Sequence, residues 1–310
     1  MRCLQKNVPR PLPIGWDTGG STLSAIIEVK NLCHTYSVGT PFEHKAVVNM
    51  NFTIEKGEFL GVIGHTGSGK STLMQHLNGL LKPTSGQILL HGEDIHKDKQ
   101  TTRAARFRVG LVFQYPEYQL FEDTVYQDIA FGPKNMGLND EQIRERVLRA
   151  IGFVGLSEDV LEKSPFDLSG GQKRRAAIAG VIAMEPEIII FDEPTAGLDP
   201  VGCKALLENI RSYQKAANAT VLMVSHSMDD VALLADRLLV LNKGEVEMLA
   251  SPCEVFAHAE RLQEIGLTVP QVTAVLLRLR ELGVDIDTAT YTVPDAARKL
   301  LRLKGGVQNA

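Results

Sequence analysis

Apolar residues in this chain gather into short unbroken runs, and longer segments between them repeat apolar positions every three or four residues. Phe59-Leu60-Gly61-Val62-Ile63 contains no polar side chain, as expected of a parallel strand buried on both faces. Val109 to Phe113, Ile188 to Asp192, Thr220 to Val224 and Leu238 to Leu241 are runs of the same type. Helical spacing occupies Gln142 to Ile151 and Lys204 to Ala216. Strand alternating with helix predicts a three-layer α/β core. Ahead of it, Ile26 to Val29 and Val47 to Ile54 are strand-like and separated by a turn region, which predicts antiparallel strands opening the domain.

The ends of the chain differ in kind. Residues 1–24 are rich in Pro, Gly, Ser and Thr around Trp16 with no apolar period, so a flexible leader is expected there. Residues 25–265 form the main domain. Residues 266–310 hold two short helical patterns, opened by Pro270 and Pro294. Val272, Val275, Leu276, Leu279 and Leu282 share one face of the first. That face predicts either packing on its own domain or a surface for another subunit.

Composition narrows the function. At 310 residues the chain can bury a large core. Its formal charge of -4 gives no general attraction to nucleic acid. Cys3, Cys33, Cys203 and Cys253 form neither a close pair nor a dense framework, which fits a reducing cytosol. Prolines interrupt the basic N-terminal residues and no apolar stretch follows, so secretion is not expected. The longest apolar runs fall well short of the roughly 20 residues that cross a bilayer as a helix. Membrane association must then come through a partner.

Three motifs carry chemistry. Gly64-His65-Thr66-Gly67-Ser68-Gly69-Lys70-Ser71 matches G-x-x-x-x-G-K-[ST] between a buried strand and a helix beginning near Ser71. Its glycines allow backbone N–H groups to surround phosphate, and the helix N-terminus adds positive potential. Lys70 is suited to neutralise the β and γ phosphates, and the Ser71 hydroxyl to ligate Mg²⁺. Next, the strand Ile188 to Phe191 delivers Asp192 and Glu193 at its carboxyl end, where ligands of parallel sheets bind. Asp192 is placed to hold Mg²⁺ and Glu193 to deprotonate an attacking water. Adjacent residues of a strand point to opposite faces unless the strand is ending, so this division of roles rests on the strand stopping there.

The third motif, Leu168-Ser169-Gly170-Gly171-Gln172, precedes an alanine-rich helix, with Ser169 at the N-cap. It is a second phosphate-binding surface in the same chain. Two chains arranged head to tail would each lend this surface to the other's nucleotide.

Together these motifs, the Ala196-Gly197-Leu198-Asp199 turn and His226 after a strand resemble the ATP-binding cassette family over about residues 24–266. The resemblance implies an α/β P-loop NTPase core with an antiparallel β subdomain, a helical signature subdomain and a short C-terminal helical extension. It implies that Tyr36 stacks on adenine and Thr72 joins the phosphate loop. It likewise implies that Gln114 reaches Mg²⁺ and the attacking water, that His226 contacts the γ-phosphate, and that Asp199 communicates across the dimer. Ser169, Gly170, Gly171 and Gln172 would bind the partner's ATP.

Val112 to Phe121, His65-Thr66 within the phosphate loop, Ser164-Pro165-Phe166-Asp167 and Pro194 to Pro200 look like the energy-coupling factor branch. Within it, the class formed by the second of the two ATPase subunits is the nearest likeness. That branch implies ATP-driven uptake of vitamins or transition-metal ions from the cytoplasmic face of the membrane. The implied partners are a sibling ATPase, a transmembrane coupling subunit and a small substrate-capture membrane protein, with no nucleic acid. In that branch the C-terminal helices join the two ATPases.

Other readings fit less well. Chromosome and repair ATPases place a long coiled coil between these motifs, and the stretch from Lys70 to Ser169 is too short for one. Ribosome-acting members usually carry two cassettes, whereas each motif occurs once here. A regulatory subunit with a degenerate site conflicts with the presence of Lys70, Ser169, Asp192, Glu193 and His226. The ATPase of a conventional binding-protein-dependent importer is the alternative within transporters, distinguished by its membrane partner.

Overall fold

The computed structural model describes residues 25–288 and 290–306; the expected leader over residues 1–24 lies outside the described residues. The chain opens with β1 (Ala25–Tyr36), β2 (His44–Glu55), β3 (Phe59–Gly64), α1 (Lys70–Leu77), β4 (Ser85–Leu90), β5 (Glu93–Asp94), α2 (Lys99–Arg108) and β6 (Val109–Val112). Three helices follow, α3 (Val125–Asn135), α4 (Asp140–Val154) and α5 (Gly170–Ile182). Then come β7 (Ile188–Asp192), α6 (Pro200–Ala217), β8 (Thr220–Val224), α7 (Met228–Leu234), β9 (Arg237–Asn242) and β10 (Glu245–Ala250). The described chain ends with α8 (Pro252–Ala257), α9 (Ala259–Glu264), α10 (Gln271–Glu281) and α11 (Val293–Gly306).

The strands form an antiparallel sheet ordered β2-β1-β4-β5 and a six-stranded sheet ordered β10-β9-β3-β8-β7-β6. In the second sheet only β10 runs antiparallel to its neighbour. The unbroken apolar runs explain this sheet, because both of its faces are covered. On one face Phe59, Ile63, Phe191, Met223 and Val240 pack with residues of α3 to α9. On the other, Leu60, Val62, Ile190, Leu222 and Leu239 meet Leu73, Met74 and Leu77 of α1 together with Val29, Met50 and Phe52 of the antiparallel sheet. The helix that follows the phosphate loop is thereby clamped between two sheets.

The structure departs from the sequence reading in detail. β1 is longer than Ile26 to Val29 because register shifts after Val29 and Leu32, with Asn31 at φ 48°, break the period-two pattern. The apolar face of α10 divides. Leu276 is buried against Ile286 and Ala296, with Val272 and Leu279 beside them. Val275 and Leu282 remain 54% and 66% exposed. One half of the stripe packs on its own chain and the other half faces solvent.

Candidate functional site

The phosphate loop joins β3, buried at all six positions, to α1. Its glycines are sterically required. A Cβ on Gly64 would sit 2.6 Å from the Leu241 carbonyl oxygen, and one on Gly69, at φ 97°, would sit 2.5 Å from that of Ala46. Gly67 adopts φ 80°, a left-handed conformation that other residues enter at a cost. The Lys70 side chain folds back, and its Nζ donates to the carbonyls of Gly64 (2.6 Å) and His65 (3.0 Å). Burial lowers the Lys70 pKa, while the charges of Glu193 and Asp192 raise it. Its ammonium therefore lies between the curled loop and the acidic pair.

β7 delivers that pair. Asp192 ends the strand and Glu193 turns to φ 51°, its N–H donating to the Val224 carbonyl at 3.1 Å. The left-handed turn frees two adjacent carboxylates from opposite sheet faces. Burial raises the Asp192 pKa; a hydrogen bond from Ser71 opposes the rise and the nearby Glu193 charge adds to it. Glu193 is gripped from both sides, since Gln114 Nε2 donates to Oε2 at 3.1 Å and His226 Nε2 lies 2.7 Å from Oε1. Gln114 follows β6 and His226 follows β8, so the two strands flanking β7 bring these side chains to one edge. A hydroxyl, a desolvated carboxylate and an amide oxygen form a hard-oxygen donor set that fits Mg²⁺.

Tyr36, the expected adenine-stacking residue, ends β1 and is 38% exposed. Its hydroxyl lies 3.3 Å from Thr72 Oγ1, and its ring meets that of His34 edge-on at 4.5 Å. The ring is open on one side and supported on the other.

The turn from Ser169 to Gln172, expected to be a second phosphate cradle, stands apart. Ser169 caps α5 in a capping box, accepting from Gln172 N (3.4 Å) while its own N–H donates to Gln172 Oε1 (3.0 Å). A Cβ on Gly170 or Gly171 would meet nothing within 4 Å, so open space lies before this helix end. Among the described residues no hydrogen bond joins Ser169 to Gln172 with the phosphate loop. Asp199 Oδ1 accepts from Val201 N and Gly202 N, each at 3.0 Å, as the N-cap of α6, and these bonds hold its pKa below the usual value.

Sequence reasoning missed Arg174. Only 3% exposed, it pairs in parallel with Glu117 through Nε–Oε2 (3.0 Å) and Nη2–Oε1 (3.1 Å). It also donates to the carbonyls of Pro194 (3.3 Å) and Ala196 (2.7 Å). Its position in the basic run Lys173-Arg174-Arg175 disguised it as a solvated charge.

The ABC transporter family model matches residues 47–196. The energy-coupling factor transporter ATP-binding protein EcfA2 of Caldanaerobacter subterraneus subsp. tengcongensis is 51% identical over 283 residues, covering 91% of this chain and 99% of the relative. This chain belongs to the energy-coupling factor ATP-binding proteins of the ABC transporter family. The EcfA2 of Clostridium perfringens is 53% identical over 278 residues, 89% of this chain and 98% of that protein. Among solved structures, cbiO1 of Clostridium perfringens, part of the ABC transporter complex cbiONQ, aligns at TM-score 0.69 and 40% identity over 83% of this chain and 98% of its own. The dimeric structure of MJ0796, a bacterial ABC transporter cassette, aligns at TM-score 0.66 and 30% identity over 73% of this chain and 98% of that one. The α/β core expected from the apolar runs, and the P-loop NTPase fold implied by the family resemblance, are therefore also the fold of its relatives. Among the described residues no helix is long and apolar enough to cross a membrane.

Proposed function

We propose that this chain binds and hydrolyses ATP to energise an energy-coupling factor importer of vitamins or transition-metal ions. It works as a head-to-tail dimer with a second, homologous ATPase on the cytoplasmic face of the membrane. The observation that carries the reading is Glu193, gripped by Gln114 and His226 beside Lys70, Ser71 and Asp192. ATP enters with its adenine on Tyr36 and its phosphates in the loop from Gly64 to Thr72. Lys70 exchanges its bonds to the loop carbonyls for the β and γ phosphates. When bound through Ser71, Asp192 and Gln114, Mg²⁺ supplies charge neutralisation to those phosphates. Glu193 takes the proton of the attacking water, Gln114 orients it, and His226 meets the γ-phosphate. Ser169 to Gln172 complete the partner's site, and Asp199 lies where the two subunits communicate.

An exposed aromatic surface supports docking to a transmembrane coupling subunit. Tyr118 is 84% exposed and Phe121 60%, with Phe131 packed edge-on against Phe121 at 5.1 Å. Such apolar patches mark interaction surfaces. A small membrane protein captures the substrate.

Because general-base assistance is worth on the order of 10²- to 10⁴-fold, Glu193→Gln should lower ATP hydrolysis by that factor and leave ATP binding intact. Undiminished hydrolysis in the variant would remove Glu193 from its assigned role.

A further inference from the structure

Away from the nucleotide site, α2 and the turn after α1 surround a notch with cations. Lys82, Lys97, Lys99, Arg103 and Arg106 line it. The acid beside them, Asp98, is turned to the Thr101 N–H at 2.8 Å as the N-cap of α2. Among the described residues Lys82 and Lys99 make no ion pair, and Lys97 makes one, with exposed Glu93 at 3.2 Å. His96, partly buried in the same notch, has an Nε2 with no hydrogen-bond partner among the described residues. Burial first, then repulsion from Lys82 and Arg106, lower the His96 pKa against the pull of Asp94. Positive charge is therefore concentrated here in a chain of net charge -4.

The notch adjoins the aromatic surface. Arg103 Nη2 donates at 3.3 Å to the carbonyl of Asn135, the last residue of α3. Phe131, one turn earlier on that helix, packs against Phe121. We propose that this notch receives the phosphates of anionic phospholipid head groups when the protein sits at the membrane. The proposal rests on reading the aromatic surface as the transmembrane docking face, since a partner seated there brings the bilayer rim to the adjoining cations. Lysines suit this role: each is a mobile point charge with three donors, able to follow a fluid surface. Near an anionic bilayer each basic residue strengthens partitioning by about five-fold, and salt weakens the effect.

The test is cosedimentation of the full chain with phosphatidylcholine vesicles, with and without phosphatidylglycerol. Capture should require phosphatidylglycerol and should fall as salt is added. Combined Lys82→Gln, Lys97→Gln and Lys99→Gln should cut partitioning on the order of 10²-fold. ATP binding and the unfolding midpoint of this variant should match the parent protein. Equal capture by both vesicles, or undiminished capture of the triple variant, overturns the proposal. Release by inorganic phosphate at unchanged ionic strength assigns the notch to free phosphate instead. If the parent protein ignores both vesicles and the variant fails to join the transmembrane subunit, the ligand is an acidic protein segment and the lipid proposal falls. Vesicle capture needs no nucleotide, so it stands or falls separately from the Glu193→Gln result.

Discussion

One guanidinium holds three stretches of chain that lie far apart in sequence. Arg174 joins the signature helix α5 to Glu117 in the turn after Gln114 and to the carbonyls after Glu193. Removing one member of a buried ion pair strands the other charge and costs roughly 3–5 kcal/mol. With Glu117 at 18% side-chain exposure, the lower end applies, and Arg174→Gln should destabilise the protein by on the order of 3 kcal/mol. Denaturant unfolding monitored by circular dichroism measures this directly. A loss below about 1 kcal/mol, the scale of an exposed pair, would deny the bridge its structural importance. No periodic pattern announces such a contact: its partners stand 57 residues apart, and a basic side chain after a glycine pair reads equally well as solvated. The left-handed turn at Glu193 is similarly invisible, because φ above zero has no residue signature there except the unremarkable end of an apolar run.

Among the elements, α5 begins at a residue with one observed role and one proposed role. Ser169 caps the helix, and the two residues that follow it, Gly170 and Gly171, border open space. Ser169→Asp separates the roles, because aspartate caps a helix as well as serine does yet brings a negative charge to where the proposed function puts the partner's triphosphate. Stability should therefore stay within about 0.5 kcal/mol of the parent protein, while ATP hydrolysis by the assembled dimer collapses. Hydrolysis at the parent rate would place Ser169 outside the nucleotide site. The strands of the central sheet were legible because burial on both faces writes an unbroken apolar run. β1 was only half legible: its bulges at Asn31 and beyond interrupt the alternation on which strand recognition depends.

For the whole molecule, the junction between α1 and the antiparallel sheet sets an acid limit. His76 is fully buried, with Nδ1 2.7 Å from the Thr72 carbonyl oxygen and Nε2 3.2 Å from His34 Nδ1. Burial chiefly, with repulsion from His34 and His96, lowers its pKa from 6.5 to about 4, against bonds to the Thr72 and Lys82 backbone. The unfolded chain thus binds a proton that the folded one refuses between about pH 6.5 and about pH 4. Stability is intact above that window and declines as pH falls through it, by roughly 3 kcal/mol from this group. Thermal unfolding followed across those pH values should show the decline, and His76→Gln should flatten it. An equal slope in both proteins would locate the acid sensitivity elsewhere. The Arg174 bridge, finally, bears on how such a protein can diverge. Tyr118 and Phe121 point outward and are free to drift with whatever membrane partner they meet. Glu117, between them and Gln114, is tied inward through Arg174 to the turn that follows Glu193. Lineages can therefore exchange partners by rewriting the rim of that surface, while the pair at 117 and 174 must be inherited together or replaced together.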